Sequence, residues 1–242
     1  MDVVAIIQAR MGSTRLPGKV LADLAGQPML VRVADRVARS REIHSVAVAT
    51  SGNPRDDPIR SLCAERGLEV FSGSEDDVLD RYYRAARHLE AQAVVRVTSD
   101  CPLIDPSVVD VVVRAFREGQ PDLHYATNVW PKRTYPRGLD VEVMRFDALA
   151  RAWQADAAPA CREHVTPWLQ RHPEAFRTLC VENDEDLSAL RWTVDTADDL
   201  RFARTIYDHF GDDRFTWQDV LAVLADHPEW TDINRHVTQK EI

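Results

Sequence analysis

The chain has 242 residues, 45% of them hydrophobic, which suits one large α/β domain or a domain with a small appendage. Its formal net charge of −9 disfavours bulk binding of nucleic acid or of an anionic membrane surface, while leaving room for a local basic patch that holds a phosphorylated small molecule. Cys63, Cys101, Cys161 and Cys180 lie far apart with no CxxC pair, so neither a zinc site nor a disulfide framework is expected, and a reducing cytoplasm fits best.

No apolar run approaches the roughly 20 residues of a membrane span. The opening MDVVAIIQARMG, with its acidic second residue, reads as a buried strand rather than a signal peptide. Residues 3–7 are the first strand, ending at a loop with Gly12, Pro17 and Gly18. A helix follows over 28–39, a strand over 44–50, and a helix over 58–66 closed by Gly67. A short strand at 68–71, a helix at 76–89 and a buried strand at 93–98 come next. Asp105 caps a further helix with Pro106 at its first position. This alternation argues for a parallel sheet with helices on both faces.

The pattern then changes. Residues 123–126 and 139–144 read as strands joined by a segment rich in Pro, Lys and Arg. Two helices are expected within 146–172, strands at 177–182 and 190–194, and helices at 196–210 and 217–225. The whole chain, 1–242, reads as one domain, with 125–180 as an insertion that serves as lid or subunit interface.

The first strand runs into Gln8-Ala9-Arg10-Met11-Gly12-Ser13-Thr14-Arg15-Leu16-Pro17-Gly18-Lys19. Ligands of open α/β sheets bind beyond the carboxyl ends of strands. Two glycines let the backbone approach a ligand, Ser13 and Thr14 offer hydroxyls, and Arg10, Arg15 and Lys19 supply three cations within ten residues. That combination suits a polyphosphate. It is not a P-loop, because five residues separate Gly12 from Gly18 and Val20 follows the lysine; nor is there a GxGxxG.

IIQARMGSTRLPGKVL resembles the opening motif of the sugar-activating cytidylyltransferases, most of all the SpsF-like branch related to the acylneuraminate and KDO enzymes, and the resemblance runs over at least residues 3–200. It implies a GT-A-like nucleotidyltransferase fold with a mostly parallel central sheet flanked by helices, CTP as donor, Mg²⁺ as cofactor and a homodimer. By that resemblance Arg10, Ser13, Arg15 and Lys19 hold the triphosphate, Gly12 belongs to the same nucleotide loop, and Gln8 and Ala9 lie near the base.

Two aspartates close strands on the same edge. Asp100, in Thr98-Ser99-Asp100-Cys101-Pro102, follows the strand at 93–98, and Ser99 joins the nucleotide-contacting candidates. Asp195, in Trp192-Thr193-Val194-Asp195-Thr196, is left free because Thr196 and Asp199 make a capping arrangement. One or two carboxylates plus substrate phosphates are the usual protein share of a Mg²⁺ site. Both stretches resemble the family's metal-binding elements. Asp140 and Glu142 share one face of an expected strand, either toward an acceptor or toward solvent. Ser74 and Arg81 flank a helix start that resembles the family's nucleotide-side loop; capping and surface exposure are the competing explanations. The Lys132–Arg137 cluster, with Arg137, either grips an anionic acceptor or pyrophosphate or is simply solvated. His164, in a stretch that resembles the SpsF-like pattern, is either an acceptor contact or structural.

The expected reaction is attack of an acceptor oxygen on the α-phosphorus of CTP, with pyrophosphate leaving. Arg10, Arg15 and Lys19 neutralise the leaving group, and no general base stands out. A nucleotide-sugar glycosyltransferase would carry a DxD pair, whereas Asp100 stands alone as Ser-Asp-Cys. A non-catalytic nucleotide binder on the same fold would bind without turnover.

Overall fold

The computed structural model of the protein describes residues 1–155 and 158–239. The parts of the expected helical stretch 146–172 and of the single domain 1–242 that fall on the other residues lie outside them.

Strand β1 (Val3–Gln8) is an apolar run buried on both faces, as a central parallel strand must be. The following loop leads through a 3₁₀ turn (Lys19–Leu21) and a small hairpin, β2 (Asp23–Leu24) and β3 (Gln27–Pro28), into α1 (Met29–Ala38). Strand and helix then alternate through β4 (Ser45–Ser51), α2 (Asp57–Arg66), β5 (Glu69–Gly73), α3 (Val78–His88), β6 (Ala93–Thr98) and α4 (Pro106–Glu118). The punctuation works as the residues imply. Gly67 closes α2 at φ 64°, and the Asp105 carboxylate accepts from the Ser107 N–H at 2.8 Å to cap α4. The later chain adds β7 (Tyr125–Thr127), β8 (Glu142–Arg145), α5 (Phe146–Ala155), α6 (Pro159–His164), α7 (Pro167–Arg171), β9 (Thr178–Cys180), α8 (Ala197–Phe210) and α9 (Trp217–Asp226), and a 3₁₀ stretch, Pro228–Ile233.

Seven strands form one sheet in the order β5-β4-β1-β6-β8-β7-β9. The β5–β4, β4–β1, β1–β6 and β7–β9 pairings are parallel; β8 runs antiparallel to both β6 and β7. Helices α1, α2, α4, α8 and α9 cover one face, and α3, α5 and α7 the other, each with its own apolar cluster. From β1 the chain first builds outward through β4 and β5, then returns to place β6 on the opposite side of β1. The loops after β1 and β6 therefore part at a topological switch point and leave a crevice. Gln8 and Thr98, register partners at the ends of β1 and β6, line it.

Three expectations need correction. The strand expected at 139–144 begins only at Glu142, so Asp140 precedes it in irregular chain. The strand expected at 190–194 makes a single bridge, Arg137 with Arg191. It runs beside a loop held by separate bonds: the Trp192 and Val194 N–H groups donate to the carbonyls of Arg137 and Asp100 at 2.7 and 2.8 Å. Gly138, at φ 111°, makes that approach possible, since a Cβ there would sit 2.7 Å from the Thr193 nitrogen. The two helices expected within 146–172 are three, because the chain breaks at Val165 (φ 70°, ψ −54°), where the Thr166 N–H donates to the His164 carbonyl at 2.8 Å. This is a γ-turn of the positive-φ kind, strained for a β-branched residue and held by the full burial of Val165. The 125–180 region contributes three strands to the common sheet.

Candidate active site

The loop after β1 is stitched by its own backbone. The Met11 carbonyl accepts from the N–H groups of Ser13 and Gly18, and the Ser13 hydroxyl accepts from Leu16 N–H at 3.3 Å. Asp56, buried beyond β4, anchors it by accepting from Met11 N–H at 2.8 Å. The loop stands over a cleft of about 330 Å³ whose lining includes Gln8, Ala9, Arg10, Ser13, Arg15 and Lys19. Arg81, Ser99, Asp100, His164 and Asp195 line it too. Arg10 and Arg15 keep 45% and 36% of their side chains exposed. Arg10 has Glu163 of α6 at 3.8 Å, and Arg15 meets Asp195 at 3.0 Å.

Lys19 sits differently. It is 9% exposed, and its ammonium donates to Asp100 Oδ2 at 2.8 Å, Asp195 Oδ1 at 2.9 Å and the Val194 carbonyl at 2.7 Å. Those acceptors match the three N–H donors of an ammonium. Burial pulls its pKa down, but the two carboxylates outweigh burial and raise it above the ordinary lysine value. Burial pushes the Asp195 pKa up, and Lys19, Arg15 and Arg191 outweigh that and hold it below the usual carboxylate range. Lys19 thus gathers two carboxylates 95 positions apart, the convergence that strand-end logic and the family resemblance implied. The Thr196–Asp199 capping box is present, which leaves Asp195 to the site.

Arg191 braces this arrangement. It reaches Asp199 through Nε and Nη2 at 2.8 and 3.0 Å and Asp195 through Nη2 at 3.0 Å. Sequence reasoning passed over it, although its place opposite the apolar face of 190–194 was a legible signal.

A second cavity of about 570 Å³ opens from the same wall, and all four acceptor candidates, Arg137, Asp140, Glu142 and His164, line it. The solvated-face reading of Asp140 and Glu142 fails. Arg133 clasps Asp140 at 2.5 and 2.9 Å, while Glu142 pairs with Arg96 and accepts from the Tyr125 hydroxyl at 2.5 Å. Burial alone would raise the Asp140 pKa, but Arg133 wins and lowers it. Arg137 has no carboxylate in contact among the described residues. Burial and the neighbouring Arg133 lower its pKa against the opposite pull of Asp140 and Asp195. The strained turn at Val165 sets His164 and Thr166 on this cavity.

The two cavities share Arg15, Thr98, Asp100, His164, Asp195 and Gln239. Gly12 and Ser74 do not line the cleft. Gly12 packs under Arg55, and Ser74 acts through its backbone, its carbonyl accepting from Arg81 at 2.6 Å. Its hydroxyl accepts from Asp77 N–H, and Asp77 caps α3. Arg81 is buried rather than on the surface, and its Nε and the Gln8 Oε1 are buried polar atoms with no partner. Orphaned polar atoms beside a cleft are candidates for ligand recognition. Lys132, in the other basic cluster, is exposed and pairs with Glu182 at 2.5 Å.

An open α/β sheet with a cation-bearing loop at its switch point and two carboxylates gathered on a lysine, Asp100 after β6 and Asp195 before α8, is the arrangement of a nucleotidyltransferase. The family profile described as Cytidylyltransferase matches residues 4–210, and the chain belongs to that family of CTP-dependent nucleotidyltransferases. It is 34% identical over 218 residues to the spore coat polysaccharide biosynthesis protein SpsF of Bacillus subtilis, covering 87% of this chain and 88% of that one. It is 34% identical over 230 residues to the 3-deoxy-manno-octulosonate cytidylyltransferase of Anaeromyxobacter dehalogenans, covering 87% and 92%. A cytidylyltransferase structure from Leptospira borgpetersenii matches all of both chains at 32% identity with a TM-score of 0.91. Among the described residues, no helix is long and apolar enough to cross a membrane.

Proposed function

We propose that this protein transfers CMP from CTP to a small anionic acceptor, a sugar acid or a phosphorylated or phosphonate metabolite, and releases pyrophosphate. The observation that carries this is the shared wall: two cavities, one lined by the cation loop and one by arginines, meet at Arg15, Asp100 and Asp195. A nucleotide in the first and an acceptor in the second would bring the attacking oxygen and the α-phosphorus together at that wall. Arg10 and Arg15, the exposed cations, neutralise the leaving phosphates, with the Ser13 hydroxyl and loop amides donating to the phosphate oxygens. Gln8 and Arg81, with their unpartnered polar atoms, supply a base-recognising end. Arg137, lacking a carboxylate partner, takes the acceptor's negative charge. The likeness to SpsF supports a place in polysaccharide biosynthesis.

Asp100 and Asp195 fit a Mg²⁺ ion. They are hard oxygen donors, Asp195 is held ionised, and both already surround one cation. When bound, Mg²⁺ supplies charge neutralisation at the α-phosphate. Lys19 then keeps the two carboxylates together or moves its charge to the phosphates.

Calorimetric titration with CTP, UTP, ATP and GTP, with and without Mg²⁺, tests the reading, followed by pyrophosphate release with a panel of sugar acids, phosphate esters and phosphonates. CTP-selective, Mg²⁺-strengthened binding and release with one acceptor class are expected, and Asp100→Asn should remove the Mg²⁺ enhancement. Failure to bind any triphosphate would overturn the proposal. CTP binding without release on any acceptor would favour a non-catalytic binder.

A further inference from the structure

Of the residues on the shared wall, Gln239 is set apart. It follows the 3₁₀ stretch Pro228–Ile233, beyond the residues that the family profile matches, yet it lines the nucleotide cleft and the acceptor cavity alike. The segment is pinned there. Asn234, 2% exposed, donates through its amide to the Arg191 carbonyl at 2.9 Å and to Asp199 Oδ1 at 3.0 Å. Arg191 Nη1 in turn donates to Gln239 Oε1 at 2.6 Å.

That last contact fixes the chemistry of the carboxamide. A guanidinium has only donors, so the amide oxygen must face Arg191 and the NH₂ must face away from it. Among the described residues this NH₂ makes no hydrogen bond. A neutral donor group therefore stands on a wall otherwise furnished with Arg15, Thr98, His164 and two carboxylates. The group common to both cavities during transfer is the phosphorus that changes partners.

We infer that Gln239 is a phosphate-binding residue, its carboxamide NH₂ donating to the α-phosphate of the bound cytidine nucleotide while its oxygen stays on Arg191; this rests on the cytidylyltransferase reading above. A neutral donor suits that position. It orients the phosphate without adding a charge that would hold the product.

The test compares wild type with Gln239→Ala, Gln239→Glu and, as a control on the same segment, Thr238→Ala, whose side chain is exposed. Cytidine, CMP and CTP with Mg²⁺ are titrated calorimetrically on the full chain, with thermal unfolding run in parallel. Gln239→Ala should weaken CMP and Mg²⁺–CTP about tenfold, the worth of one hydrogen bond to a charged group, and leave cytidine unchanged. Gln239→Glu should be worse than alanine, because it sets a carboxylate against the phosphate. A role limited to bracing Arg191 predicts the reverse for glutamate. Wild-type CMP affinity in Gln239→Ala, equal loss for cytidine, or wild-type affinity in Gln239→Glu would overturn the inference while leaving the cytidylyltransferase reading intact. A wild-type protein that binds no cytidine nucleotide would overturn both.

Discussion

The two sides of the crevice are built from the same residue types and use them in opposite ways. On the parallel side, the loop after β1 presents Arg10 and Arg15 largely to solvent, with only loose or single carboxylate contacts. On the mixed side, Arg96, Arg133 and Arg191 are each locked onto a carboxylate, while Arg137 has none in contact among the described residues. The first side holds charge ready for a mobile, highly anionic ligand. On the second, Arg133 and Arg191 hold irregular chain in place, while Arg96 and Glu142 pair across β6 and β8. Lys19 is the exception that joins them: a residue of the first side used as the second side uses its arginines.

The largest test of that contrast is Lys19→Ala. If the lysine is structural glue as well as a site residue, its loss leaves two carboxylates and a carbonyl facing one another. Urea unfolding should then show a loss of about 3–5 kcal/mol, together with loss of turnover. A variant as stable as wild type would return Lys19 to the class of Arg10 and Arg15.

Gly138→Ala should come next. The added Cβ has backbone 2.7 Å away and a φ of 111° to adopt, so a cost of about 1–3 kcal/mol is expected by the same measurement. Nucleotide binding should suffer less than acceptor use, because the disturbed loop carries Arg137 and Asp140.

The smallest effect is on acid stability. The Asp195 and Asp140 pKa values are depressed in the folded state. Their contribution is therefore fully present above the unfolded value of roughly 4 and is lost as pH falls through the folded values. The unfolding midpoint should drop below about pH 4, and less steeply in Asp195→Asn. An unchanged slope would remove Asp195 from the charge cluster.

How much could be read in advance follows the same divide. The main strands and helices of the parallel half were legible, though not the small β2–β3 hairpin. Buried β-branched strands, a capping Asp105 and a closing Gly67 are local signals, and the loop's cations stood out against an acidic chain. The capping of α8 by Thr196 and Asp199 left Asp195 free, and the family resemblance singled it out. The other half resisted because its order comes from long-range pairs. Nothing local says that Glu142 is spoken for by Arg96, or that 190–194, with a strand's alternation, pairs through one bridge only. The break at Val165 carries no glycine or proline of its own to announce it, only Pro167 two residues later. Gln239 carries no local signal, because its contact with Arg191 spans 48 positions.

The lysine hub also governs the order in which the molecule is put together. Lys19 and Asp195 are 176 positions apart, and Lys19 and Asp100 are 81 apart. Closing such loops is entropically costly and slow compared with forming the neighbouring β1–β4–β5 units. The ligand-handling centre is thus among the last things to exist in a refolding chain. Regain of nucleotide affinity should lag behind regain of helical signal, so the centre reports on whether folding has finished.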